Sequence, residues 1–93
     1  MKLTKTTVNY AKKRNIDFCV ELELDVVMIF KAGEDEPFLI YNLKETSEGE
    51  YEMTFKCQVY GDKIEDLPHW INTKEKLNET INYLSETIKD GEY

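Results

Sequence analysis

Histidine and tryptophan occur once each in this sequence, cysteine and proline twice, and glycine four times. Each scarcity removes a class of function. A nucleophilic triad needs a serine or cysteine positioned beside its base. The single His69 stands in Pro68-His69-Trp70, and no G-x-S-x-G sequence supplies a nucleophile elbow. Cys19 and Cys57 fit no zinc-ligand spacing and are too few for a disulfide framework. The reducing cytoplasm is therefore the expected compartment. No two glycines form a phosphate-cradling pattern. The acids of Gly33-Glu34-Asp35-Glu36-Pro37 lack the spacing of a calcium loop and read as a solvated turn. No apolar run reaches the roughly 18 residues of a membrane span, and no basic-then-apolar leader opens the chain. The expectation is a non-enzymatic protein with no cofactor, no metal and no membrane contact.

What is present is charge and alternation. The 93 residues carry a net charge of −7, and that charge is unevenly placed. Residues 1–14 hold Lys2, Lys5, Lys12, Lys13 and Arg14 with no acid, a short basic arm. The rest of the chain sets seven basic side chains against all 19 acids, a balance of −12. Direct nucleic-acid binding by this acidic body is disfavoured, because neutralising phosphates needs clustered Lys and Arg. The length suits a single domain over 1–93 with one modest core.

The strongest pattern runs from Ile16 to Lys31, where Phe18, Val20, Leu22, Leu24, Val26, Met28 and Phe30 recur at every second position. A period of two predicts a strand with one face on a core. Sixteen residues would extend about 53 Å, too long for a small domain to cover unbent, so a bend or bulge is expected near Asp25. Residues 38–44 and 51–60 give two further strands separated by turns, hence an antiparallel meander. Matching apolar faces places Phe30/Leu39/Phe55, Met28/Tyr41/Met53 and Val26/Leu43/Tyr51 in core rows, with Cys57 also inward. The opposite face then includes Lys31/Phe38/Lys56, Ile29/Ile40/Thr54, Val27/Asn42/Glu52 and a row Asp25/Lys44/Glu50 that alternates in sign.

The segment 61–71 is a connector with apolar anchors at Ile64, Leu67, Trp70 and Ile71. Asn72 and Glu75 resemble a capping box. Leu77, Ile81, Leu84 and Ile88 form one stripe of a helix that Gly91 would stop. Residues 3–14 read either as a short helix, ended by cationic residues and Asn15, or as an edge strand with Thr4, Thr6, Val8 and Tyr10 on one face. The expected fold is thus α+β: a three- to four-stranded antiparallel meander with a C-terminal amphipathic helix packed on one face.

Two surfaces remain once a core is assigned. The first is an apolar patch on the outer sheet face, expected at Val27, Ile29, Phe38 and Ile40; exposed patches of that kind mark interfaces. The second is an acidic ladder, Glu21, Glu23 and Asp25, continued across strands by Glu50 and Glu52. Alternate strand residues stand about 6.8 Å apart, of the same order as successive phosphates. Trp70 either plugs the open end of the core or anchors a partner, as Trp does at hot spots.

These features point to a protein-binding module with a protein partner, in its sharper form an inhibitor that mimics nucleic acid and blocks a basic nucleic-acid-binding protein. In size and charge the chain resembles small acidic phage-encoded inhibitors, anti-CRISPR proteins among them, which implies a viral inhibitor; the likeness carries over no site residue. The alternative is a structural or assembly protein that forms a homodimer through the outer apolar face.

Overall fold

The structure is a computed structural model that describes residues 1–89. Helix α1 spans Lys5–Lys12 and buries Thr7 and Ala11, one turn apart on a single face. Asn15, at φ 64°, ends it in the left-handed conformation that asparagine tolerates. The helix reading of this segment therefore holds. The basic residues form no loose arm. The Arg14 side chain lies 3.6 Å from the centroid of Tyr10 and donates to Asn82 Oδ1 at 2.6 Å. Ser85 Oγ donates to the Arg14 carbonyl at 3.0 Å, so the end of α1 is tied to the C-terminal helix.

The long alternating run does not make one strand. It folds back on itself as β1 (Ile16–Glu21), a 3-10 turn at Leu22–Leu24, and β2 (Val26–Lys31). Asp25, where a bend was expected, takes φ 54° and completes the reversal. A turn followed by a left-handed residue is a common four-residue hairpin loop, and Asp accepts that conformation. Leu22 and Leu24 are consequently exposed at the tip.

This reversal changes the phase of burial. Phe18 lies opposite Ile29 and Val20 opposite Val27, so even positions of β1 share a face with odd positions of β2. Val27 and Ile29 are almost fully buried, and Val26, Met28 and Phe30 turn to the other face. The expected core rows through Phe30, Met28 and Val26 are corrected accordingly.

Among the described residues the sheet has five antiparallel strands in sequence order, one or two more than expected. β3 spans Leu39–Ser47, β4 Glu50–Gln58 and β5 the two residues Trp70–Ile71. Leu39, Tyr41 and Leu43 face the core as anticipated. Against β4 the register is two residues from the expected one: Tyr41 lies opposite Phe55 and Leu43 opposite Met53. The tight Glu48-Gly49 turn, with Gly49 at φ 76°, lets the strands continue further than a loop over 45–50 would. A bulge between Ile40 and Tyr41 then sets Cys57 opposite Ile40 on the outer face, not in the core. Lys44 pairs with Glu52, so the Asp25/Lys44/Glu50 row does not form.

Helix α2, Lys74–Lys89, packs Leu77, Ile81 and Leu84 into the same core as the inner sheet face, with Ile88 packed against it. Thr73, not Asn72, caps it, its Oγ1 accepting the Lys76 N–H at 3.2 Å. Gly91 lies outside the described residues. At the centre of the core, fully buried Tyr41 donates its hydroxyl to the Pro68 carbonyl at 2.8 Å. Burial raises the Tyr41 pKa far above the usual tyrosine range. Unfolding frees this hydroxyl to ionise near pH 10, so the unfolded state loses its proton first. Stability should fall above about pH 10 by up to about 1.4 kcal/mol per pH unit. Urea midpoints measured from pH 8 to 11 should show that slope, and Tyr41→Phe should flatten it.

Candidate protein-binding face

Both helices bury their apolar residues on one side of the sheet. The core formed there includes Ile16, Phe18, Val27, Ile29, Leu39, Tyr41, Leu43, Met53 and Ile71. The opposite face is a separate surface. Its central row runs Cys19, Met28, Ile40, Cys57 across four strands. One neighbouring row sets Asp17 opposite Phe30, and the other runs Glu21, Val26, Asn42, Thr54, Trp70. Met28, Phe30 and Ile40 are half-buried by their neighbours alone and are not packed against the core. An apolar centre bordered by acids is the composition of a recognition surface, with an apolar middle and a polar rim.

Of the expected apolar patch, only Ile40 is on this face. Val27, Ile29 and Phe38 are in the core, at 0%, 2% and 0% exposure. For Val27 and Ile29 the physical reason is the four-residue hairpin loop, which inverts the phase of β2; Phe38 precedes β3 and is buried beside Leu39, outside the alternation of that strand. The residues missed through that inversion are Met28 and Phe30; Cys57 joins them through the bulge in the β3–β4 ladder. The signal that could have found them was the extended length itself. A strand too long to cover must fold back, and Leu22 to Asp25 supplies a turn at its midpoint.

The acidic residues are placed differently from a ladder. Glu21 ends β1, Glu23 sits in the 3-10 turn and Asp25 in the left-handed position after it, so the three ring a turn and do not alternate along a strand. Asp25 accepts the Leu43 N–H at 2.7 Å through its carbonyl, which fixes this turn beside the β3–β4 hairpin. Glu50 lies in that hairpin and takes the Met1 ammonium at 3.1 Å. Glu52 faces the outer side opposite Lys44 and accepts the Trp70 indole N–H at 2.9 Å. The expected acids thus gather at one end of the sheet.

Trp70 does not plug the core. It is 45% exposed, because Trp70 and Ile71 are adjacent on a strand and only one of them can face inward. Ile71 takes the core position. Lys76 lies 5.6 Å from the centroid of the indole.

Reactive groups are few here. His69 is exposed. Both cysteines are free. The Cys19 thiol donates to Glu21 Oε1 at 3.4 Å, and its pKa is raised by burial first, then by that hydrogen bond and by the Glu21 charge. It is therefore protonated near neutral pH and a weak nucleophile. Among the described residues no three His, Cys, Asp or Glu side chains converge as metal ligands, and no helix is long and apolar enough to cross a membrane. Comparison with protein-family models, with curated proteins and with solved structures finds no match to this chain.

Proposed function

We propose that the chain is a small acidic protein-binding module without catalytic activity, and that its partner is a basic nucleic-acid-binding protein whose nucleic-acid site it occupies. The observation that carries this reading is the open outer sheet face, with Met28, Phe30 and Ile40 at its centre and Asp17, Glu21 and Glu52 around it. Among the described residues the helices pack their apolar side chains on the other side. The acids Glu21, Glu23 and Asp25 of one turn and Glu45, Glu48, Glu50 and Glu52 of the adjacent hairpin share one end of the sheet, with Lys44 between them opposite Glu52. Such a surface suits a partner whose apolar contacts are ringed by Lys and Arg. An inhibitor of the kind phages encode would work this way, in a cytoplasm that keeps Cys19 and Cys57 reduced.

The test is a capture experiment from nuclease-treated lysate of the source organism, followed by competition. The captured protein should be basic, should be released by raising the salt, and should be displaced by added duplex DNA or by RNA. Glu21→Lys combined with Glu52→Lys should abolish capture. Retention through high salt, with no displacement by either nucleic acid, contradicts the mimic.

Self-association is the second reading, favoured by the apolar row Met28–Ile40 that neither helix covers. It requires a stable dimer of the purified chain in sedimentation equilibrium, converted to monomer by Ile40→Glu.

A further inference from the structure

The open face ends at an open edge. β1 is the terminal strand of the sheet, and at six residues it is much longer than β5 at the other edge. Two hydrogen bonds fix which of its backbone groups point outward. Ala32 donates to the Asn15 carbonyl at 3.0 Å, and Leu43 donates to the Asp25 carbonyl at 2.7 Å. Antiparallel bonding alternates, so residues 17, 19 and 21 of β1 bond to β2. Phe18 and Val20 therefore direct their N–H and C=O groups away from the sheet. Among the described residues no other backbone or side-chain group bonds to them.

Alongside this edge runs a shallow groove of about 350 Å³. Val8 and Lys12 of α1 form one wall, and Asp17, Phe18 and Cys19 of β1 the other, with Phe30 and Glu34 at its outer side. Outward-facing Asp17 and Glu21 stand at either end of the strand, and neither is ion-paired among the described residues. On the inner side the edge is apolar, with Phe18, half-buried Val20 and, across the groove, half-buried Val8.

We infer that this edge takes an extended peptide as a sixth strand, antiparallel to β1, alternating Lys or Arg with aliphatic residues. The unpaired amides and carbonyls supply backbone hydrogen bonds, and the alternation of the strand supplies the sequence preference. Basic side chains of the peptide lie opposite Asp17 and Glu21 on the outer face, and its aliphatic side chains lie against Phe18, Val20 and Val8. A second copy of the chain fits poorly. Pairing β1 with β1 about Cys19 would set Asp17 opposite Glu21 twice, a like-charge contact. The inference rests on the reading of the chain as a protein-binding module and names the partner segment that would reach its edge.

The probe is an acetylated, amidated octapeptide alternating lysine and valine, added to ¹⁵N-labelled protein. Shifts should concentrate at the amides of Phe18 and Val20, and both amides should become protected from exchange. In an antiparallel pair the valine amides face β1, so N-methylation of the valines should abolish binding and N-methylation of the lysines should not. Asp17→Asn with Glu21→Gln should weaken binding about fivefold. Equal binding of the two N-methylated peptides, or shifts centred on the Glu45–Glu50 hairpin, overturns the inference. Its failure is separable from failure of the broader reading. If the peptide does not bind while Met28→Glu with Ile40→Glu still abolishes partner capture, the face stands and only the edge falls.

Discussion

Val27→Asp is expected to unfold the protein, and Met28→Asp, one residue further on, to leave it folded. Val27 is fully buried between Val20 and Tyr41. A carboxylate there finds no partner and no water, and burying it costs several kcal/mol, comparable with the roughly 5–15 kcal/mol that holds a small domain together. Met28 faces outward between Cys19 and Ile40. Its replacement keeps the new charge hydrated and should cost no more than about 1.5 kcal/mol. Urea denaturation followed by circular dichroism measures both. The reverse order of damage would restore Met28 and Tyr41 to one core row and refute the hairpin.

That pair of variants isolates the point at which local alternation ceases to decide which face of a strand is buried. Where polar and apolar residues alternate cleanly, the face can be read directly. Leu39, Tyr41 and Leu43 alternate with Ile40, Asn42 and Lys44, two of them polar, and the inward set is the one the alternation predicts. The stripe Leu77, Ile81, Leu84 was equally plain, because a helix face has a period nothing else in that segment imitates. Residues 26–30 are apolar in both phases, Val-Val-Met-Ile-Phe. Either set can face a core, and only the length of the preceding loop decides between them. The candidate site inherited that ambiguity. Ile40, set by β3, was placed on the outer face, whereas Val27 and Ile29, set by β2, were not. The acids Glu21, Glu23 and Asp25 read as a ladder only while residues 16–31 read as one strand, whereas Glu23 and Asp25 belong to a turn. The fold-back of the chain, which involves no local motif beyond Asp25, could be inferred only from the excessive length of a single strand.

The second large effect concerns the outer face. Met28 and Ile40 are directly opposite each other at its centre. Met28→Glu combined with Ile40→Glu should weaken partner binding at least a hundredfold while the far-ultraviolet spectrum stays unchanged. Full burial of two such side chains contributes about 1.5–3 kcal/mol each, and two unpaired carboxylates in a contact add further cost. Every 1.4 kcal/mol is about tenfold in affinity, so a hundredfold loss is the lower end of the expectation. The comparison is made by titrating the captured partner with wild type and variant. Binding within threefold of wild type would mean that contact is made elsewhere, and the acidic end of the sheet would be the next surface to examine.

One measurement tests the assignment of this face as the working surface most directly: the rate of peroxide oxidation at each methionine, read by mass spectrometry, in the free chain and in complex with the captured partner. In the free chain Met28 should oxidise readily and fully buried Met53 slowly. On binding, Met28 should become protected while Met53 is unchanged. Equal rates at Met28 with and without the partner would contradict the claim, and a Met53 as reactive as Met28 in the free chain would contradict the fold on which it stands.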